Sequence, residues 1–311
     1  MTAGDGQLRL GLAGCGRLAE LGYVPAIARS ERVRLAAVAD PSSARTNAMR
    51  SAMGSATKGT CAPTAFGSVV EMIEAGGLDA VVVASPVETH VEAAEVSIAA
   101  GLPTLVEKPP ARDGAGARRL AALGDAVRIG FNRRFVPGIA ALRQRVVGAD
   151  GYRAEFRLSY RRASWSPVVV EDDALLDLGP HLVDLARWLP DDDVVDVGAA
   201  TVAPQRARFE LRLVRGSAAI EVASDGIYGE QIAIRDGDGR TIGTYRVGGA
   251  VAAVTGRLLR RSGGDVLGDS LAGQLDAFAG AIADAPGGDR GLGTAGDGVA
   301  VMDTIDAVRG R

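Results

Sequence analysis

A chain of 311 residues is longer than one compact core usually covers, which points to two domains. Hydrophobic content of 47% with 23% charged residues is that of a soluble globular protein, and a net charge of −3 with no basic block argues against a nucleic-acid partner. No apolar stretch approaches the roughly 20 residues of a membrane helix, and the first ten residues lack a cationic start followed by an apolar run. The two cysteines, Cys15 and Cys61, make neither a disulfide framework nor a zinc motif, so a reducing, cytoplasmic location is expected.

In chain order, Leu8–Ala13 reads as a short strand running into Gly14-Cys15-Gly16 and a helix from about Arg17 to Ala28. Val33–Ala39 is a second strand ending at Asp40, with Ser42 or Ser43 placed to cap the next helix. Phe66–Ala75 reads as a helix stopped by Gly76-Gly77, and Ala80–Ala84 as a strand buried on both faces. Val87–Ala100 is helical, and Pro103–Val106 and Val127–Phe131 are strands. This alternation predicts an α/β fold: residues 1–130 as a Rossmann dinucleotide-binding domain with a parallel sheet.

Residues 131–311 read as an α+β domain for substrate binding and oligomerisation. Arg153–Tyr160, Ala207–Val214, Ala218–Ala223, Gln231–Arg235 and Thr241–Val247 alternate in side-chain character, and Asp236-Gly237-Asp238-Gly239 is a hairpin turn signal. Helices are expected around Leu271–Ala283 and Gly298–Val308, with Pro286-Gly287-Gly288 as a loop. The sheet is expected to be largely antiparallel and open on one face, to be covered by self-association as a homodimer or homotetramer.

Three features carry chemistry. In the first, Gly14-x-Gly16-x-x-Ala19 follows the strand that holds Gly11 and opens a helix, as a backbone approaching a pyrophosphate requires, with Arg17 and Leu18 offering helix N-terminal N–H groups. Asp40, about 20 residues on, stands where a ribose-binding acid is expected. Its charge repels a 2′-phosphate and favours NAD, while Arg45 leaves NADP open. The alternative is a tight structural turn with a capping Asp. In the second, Glu107-Lys108-Pro109 sits at the carboxyl end of a strand. Among 35 basic residues only Lys58 and Lys108 are lysines. Lysine can trade a proton where arginine cannot, although chance survival is an equal alternative. In the third, Asp177, His181 and Asp184 have helical spacing, with the helix beginning near Pro180 and Asp177 in its entry turn. A His beside a carboxylate suits a general base; a capping Asp and a half-buried structural His are the alternative. No third ligand accompanies them, so no metal is expected.

Six landmarks in one order resemble the glucose–fructose oxidoreductase / inositol 2-dehydrogenase / rhizopine-catabolism (Gfo/Idh/MocA) family. They are Gly11–Gly16, Ala39-Asp40-Pro41, Ser85-Pro86 with His90, Glu107-Lys108-Pro109, Gly130–Phe135 and Asp177–His181. The resemblance covers essentially the whole chain. It implies an NAD(P)-dependent dehydrogenase or ketoreductase moving a hydride between nicotinamide and a hydroxyl or keto carbon of a sugar, polyol or cyclitol. It implies His181 as general base or acid, Lys108 on the same substrate oxygen, and Asp177 orienting the His or binding a second hydroxyl. Ser85 and Glu107, with Asn132 and Arg134, would contact the nicotinamide half or the substrate. His90 matches a cofactor-side position, with helix-start packing as an equal alternative. Glu171-Asp172-Asp173 replaces a glycine-rich run of the family, which raises a cationic amino sugar as substrate against a merely solvated loop. An NAD-recycling glycosidase or epimerase, and a nucleotide sensor without turnover, are the competing functions.

Overall fold

Short apolar runs separated by helix-forming stretches become parallel strands, because each must bury both faces beneath the helices that connect it to the next. The computed structural model describes residues 6–56, 62–161, 173–248, 266–283 and 291–311. The chain divides into two units, Met1–Phe135 with Asp265–Val299 and Val136–Gly264 with Ala300–Arg311.

In the first unit β1 (Leu8–Ala13) leads into a helix that begins at Arg17, passes through a π-helical turn at Ala19–Tyr23 and continues as α1 (Val24–Arg29). Then come β2 (Val33–Ala39), α2 (Ser43–Ala56), β3 (Thr64–Phe66), α3 (Val69–Glu74) and β4 (Ala80–Val83). A 3-10 turn at Val87–Thr89 opens α4 (His90–Ala99), followed by β5 (Thr104–Glu107), α5 (Gly114–Ala122) and β6 (Val127–Gly130). These six strands are parallel in the order β6-β5-β4-β1-β2-β3. Every residue of β4 and β5 is buried, as strands inside a doubly covered sheet must be. The order reverses between β1 and β4, so a ligand crevice belongs at their carboxyl ends.

The helix expected over Phe66–Ala75 is shorter. Thr64–Phe66 pairs in parallel with Ala37–Ala39 as an edge strand. Ser68 Oγ accepts from Glu71 N at 3.2 Å, and Glu71 Oε2 accepts from Gly67 N at 2.9 Å. This reciprocal cap stops the helix from extending back to Phe66.

The second unit contains α6 (Pro137–Val146), β7 (Tyr152–Arg161), α7 (Ala174–Trp188), β8 (Val194–Ala203), β9 (Arg206–Leu213), β10 (Gly216–Ala223), β11 (Asp225–Arg235) and β12 (Thr241–Gly248). Its sheet runs β12-β11-β7-β10-β9-β8 and is antiparallel except where β7 meets β10. Along β9, Ala207, Phe209, Leu211 and Leu213 are buried while Arg206, Arg208, Glu210 and Arg212 are exposed. The hairpin between β11 and β12 turns through Asp236–Gly239, with Gly239 at φ +83°.

α7 covers β7, β9 and β10 and begins at Ala174, not near Pro180. Asp173 caps it, its Oδ1 accepting from Leu176 N at 2.7 Å. An interior proline costs about 3 kcal/mol. Burial of Leu175, Leu176, Leu178, Leu182 and Leu185, at about 1.5–3 kcal/mol each, outweighs it. Asp177 therefore lies within the first helical turn.

The chain then forms α8 (Val266–Ile282), β13 (Gly293–Thr294) and α9 (Ala295–Arg309). α8 packs on α1 within the first unit, and β13 joins the first sheet antiparallel to β6. Among the described residues, no helix is long and apolar enough to cross a membrane.

Candidate active site

Gly14 has φ +98°, and a Cβ there would lie 2.5 Å from Ser85 N. Only glycine fits, so the turn after β1 closes against the end of β4. Gly14 N donates to Ala39 O and Ala84 N donates to Ala13 O, both at 2.8 Å, tying three strand ends together. Gly16 differs, because a Cβ there would meet nothing within 4 Å. Gly16 O accepts from Glu20 N at 3.0 Å, which starts the helical ladder. The N–H groups of Arg17 and Leu18 fall in the first turn, where no intrahelical acceptor exists. Open space beside a bare Cα, faced by helix N-terminal donors, fits a pyrophosphate.

Asp40 follows β2 and is buried. Its Oδ2 accepts from Cys15 N at 3.0 Å and its Oδ1 from Ser42 N at 2.9 Å. The carboxylate thus braces the turn, and each oxygen retains a second lone pair for a ribose hydroxyl. Burial, with Asp40 adding to it and Arg45 opposing, pushes the Cys15 thiol up to about 12. Cys15 remains a neutral thiol that fills space.

Ser85 Oγ and Thr89 Oγ1 share a hydrogen bond of 2.7 Å at the end of β4. Glu107 ends β5 and is only 4% exposed. Tyr23 donates to its Oε1 at 2.5 Å, Lys108 N donates to its Oε2 at 3.1 Å, and Gln274 Nε2 donates to Tyr23 Oη at 3.3 Å. Burial raises the carboxyl above its ordinary range, against the pull of Tyr23 and Lys108. Glu107 is therefore an inward brace for the residue that follows it. Gly130 makes room, since a Cβ there would sit 3.0 Å from Glu107 Cδ. Lys108 is half-buried, and its bond to Pro109 is cis. Arg134 pairs with Asp297 at 3.1 Å and donates to Leu292 O, while Asn132 donates to Ser270 Oγ at 3.1 Å. Both residues tie the returning segment to the first unit. Tyr23 and Gln274 carried no motif signal.

In the second unit, Asp177, His181 and Asp184 occupy successive turns of α7, and His181 is 8% exposed. Tyr160, at the end of β7, donates to Asp177 Oδ2 at 2.5 Å. Sequence reading missed this phenol; a tyrosine closing an alternating strand was the available hint. Asp173 is engaged by Leu176 N and by Arg309 at 3.2 Å. Glu171, Asp172, Lys58, Cys61 and the Pro286–Gly288 loop lie outside the described residues. Lys108 belongs to the first unit, Asp177 and His181 to the second. Among the described residues, no group of three or more His, Cys, Asp or Glu is arranged to hold a metal ion.

A doubly wound parallel sheet with a phosphate-shaped turn at its switch point, followed by a mostly antiparallel sheet, defines a dinucleotide-binding protein of the Rossmann class. Residues 8–127 match the family described as an oxidoreductase family with an NAD-binding Rossmann fold. The chain is 30% identical over 261 residues to inositol 2-dehydrogenase 4 of Saccharopolyspora erythraea, covering 78% of this chain and 74% of that protein. It is 33% identical over 203 residues to the rhizopine catabolism protein MocA of Rhizobium meliloti, covering 63% of this chain and 61% of that protein. It spans about half the length of several other curated relatives it matches. Two crystal structures of scyllo-inositol dehydrogenase from Lactobacillus casei share the fold. The apo form gives a TM-score of 0.78, and the form with bound NAD(H) and scyllo-inositol gives 0.73, each at 18% identity over 98% of this chain and 96% of that chain. The chain belongs to the Gfo/Idh/MocA family.

Proposed function

We propose that the protein is an NAD-dependent oxidoreductase acting on a CH–OH group of a sugar, polyol or cyclitol, or on the corresponding ketone in reverse. The observation that carries this reading is the first unit's ligand edge. There a turn open at Gly16 for a pyrophosphate and braced by Asp40 lies in the same unit as half-buried Lys108 at the end of β5. NAD, when bound, supplies the hydride acceptor. In the first unit Lys108 stabilises charge on a substrate oxygen; in the second, His181 takes a hydroxyl proton and Asp177, held by Tyr160, orients the His or binds a hydroxyl. Scyllo-inositol in the Lactobacillus casei structure supports a polyol over other alcohols. Asp40 supports NAD over NADP, because a carboxylate repels a 2′-phosphate.

We assign the protein to the cytoplasm and to a homodimer or homotetramer. The outer sheet face supports self-association through ion pairs, since exposed Arg153, Arg157, Arg208 and Arg212 share it with Glu210 and Glu221, opposite charges available to a second copy.

A screen of polyols and nucleotide sugars by NAD(P)H absorbance tests the assignment. Lys108→Ala and His181→Ala are expected to lower turnover by about 10²–10⁴-fold with NAD affinity nearly unchanged. Wild-type rates in both variants would defeat the role assignment. Glycoside cleavage without NADH accumulation would indicate cofactor recycling, and binding without turnover would indicate a sensor.

A further inference from the structure

His90 opens α4 and is 2% exposed. Its Nδ1 lies 2.9 Å from Pro109 O and its Nε2 lies 2.8 Å from Ser85 O. Carbonyl oxygens only accept, and burial lowers the pKa of His90 and favours the neutral ring, whose single N–H donates to one of the two carbonyls at a time. A packing role needs only volume, which a Phe or Leu would fill. Two ring nitrogens aimed at two backbone carbonyls from opposite sides are more than packing requires.

The two carbonyls matter because of what adjoins them. Ser85 borders the phosphate turn, since its N would stand 2.5 Å from a Cβ on Gly14. Pro109 directly follows Lys108. One imidazole therefore spans the turn after β4 and the turn after β5, and no ladder bond does so there, because the β4–β5 pairing ends at Val83 and Val106. Beyond that last pair side chains join the two turns, an exposed ion pair of Arg112 with Glu88 and the buried imidazole.

We propose that His90 is a positioning residue for Lys108, fixing the Lys108-Pro109 turn through an Nδ1–H donated to Pro109 O, with the ring seated against the Ser85 turn. The proposal rests on the assignment of Lys108 to the substrate oxygen. Displacements of about 1 Å at a reacting group cost up to about a hundredfold in rate, so the bridge has kinetic weight without touching substrate.

The chain has only two lysines and two histidines, which makes the test direct. With isotopically labelled lysine, the side-chain NMR spectrum holds two lysine signals, assigned with Lys58→Arg. Three variants dissect the bridge. His90→Phe keeps the ring volume and removes the donor. His90→Asn keeps a donor near the Nδ1 position, toward Pro109. His90→Gln keeps one near the Nε2 position, toward Ser85.

The Lys108 signal is expected to move in His90→Phe and His90→Gln, and less in His90→Asn, with Lys58 unmoved. In turnover assays His90→Gln should lose about tenfold or more in kcat with the KM for NAD nearly unchanged, and His90→Asn should retain most of kcat. An unmoved Lys108 signal in a His90→Phe protein that melts like wild type would overturn the proposal. So would equal effects of all three variants in step with lost thermal stability, which is the signature of packing. Lys108→Ala run in parallel separates the two ideas. Wild-type turnover in that variant defeats the assignment of Lys108, whereas an inactive Lys108→Ala beside fully active His90 variants defeats the bridge alone.

Discussion

Two glycines two positions apart in one turn do different work. At Gly14 the backbone has φ +98° and Ser85 N would stand 2.5 Å from a Cβ, whereas at Gly16 a Cβ would meet nothing within 4 Å. Gly14→Ala is therefore expected to lower both thermal stability, by about 1–3 kcal/mol of backbone strain, and NAD affinity. Gly16→Ala should melt as wild type without cofactor and still bind NAD more weakly, because its methyl enters the space a pyrophosphate needs. Melting curves paired with calorimetric NAD titration check this, and parallel losses in both variants would contradict it. The residues of the turn were legible in the sequence because glycine spacing reports backbone conformation. The role of Glu107 was not, since the partners that turn it inward, Tyr23 and Gln274, lie 84 and, for the Tyr23–Gln274 bond, 251 positions apart along the chain.

For single elements, capping chemistry decided boundaries that apolar periodicity misplaced. The Ser68–Glu71 box sets the start of α3, and Asp173 sets the start of α7 ahead of Pro180. Asp173→Ala is expected to cost about 1 kcal/mol. The ion pair with Arg309 is about one-third exposed and adds little to this. Asp173→Ser should recover most of the loss, and differential scanning calorimetry reads both. An unchanged midpoint in Asp173→Ala would show that packing of α7 alone defines its start. Strands were easier to read: the expected and observed bounds of Val33–Ala39 coincide, and β9 alternates as its residues dictate. β8 was missed because its pattern is weak, with most of its residues exposed and its register interrupted twice.

Across the whole molecule, burial of Glu107 makes stability depend on pH. Its carboxyl is raised above the ordinary value chiefly by desolvation. Below that ordinary value both folded and unfolded chains hold the proton, so it contributes no pH dependence. As pH rises through it, the unfolded chain releases its proton first, and stability falls until the folded, higher value is passed. Asp79 has the opposite sign. Hydrogen bonds from the Arg9 side chain, foremost among its causes, lower its pKa, so its stabilisation is present above the ordinary Asp value and lost as pH falls through the lower folded value. Asp79 is partly exposed and its effect is screened, so Glu107 dominates. Glu107→Gln is expected to gain melting temperature relative to wild type between about pH 4 and about pH 7. A constant difference across that range would refute this.

By itself the sequence determined the alternation of strands and helices in the first unit, the glycine turn, the acid after β2 and the lysine at the end of β5. Each of these is a local constraint: side-chain periodicity, a backbone angle only glycine tolerates, or a position relative to a strand end. Tertiary structure decided the parallel meeting of β7 and β10, the return of α8 and β13 to the first sheet, the Tyr160–Asp177 bond and the span of His90 between two turns. These depend on which distant segments pack together, and packing is a property of complementary surfaces that no local pattern encodes. The phosphate turn could be read before folding, but the braces around Lys108 and Asp177 exist only once the chain has closed on itself.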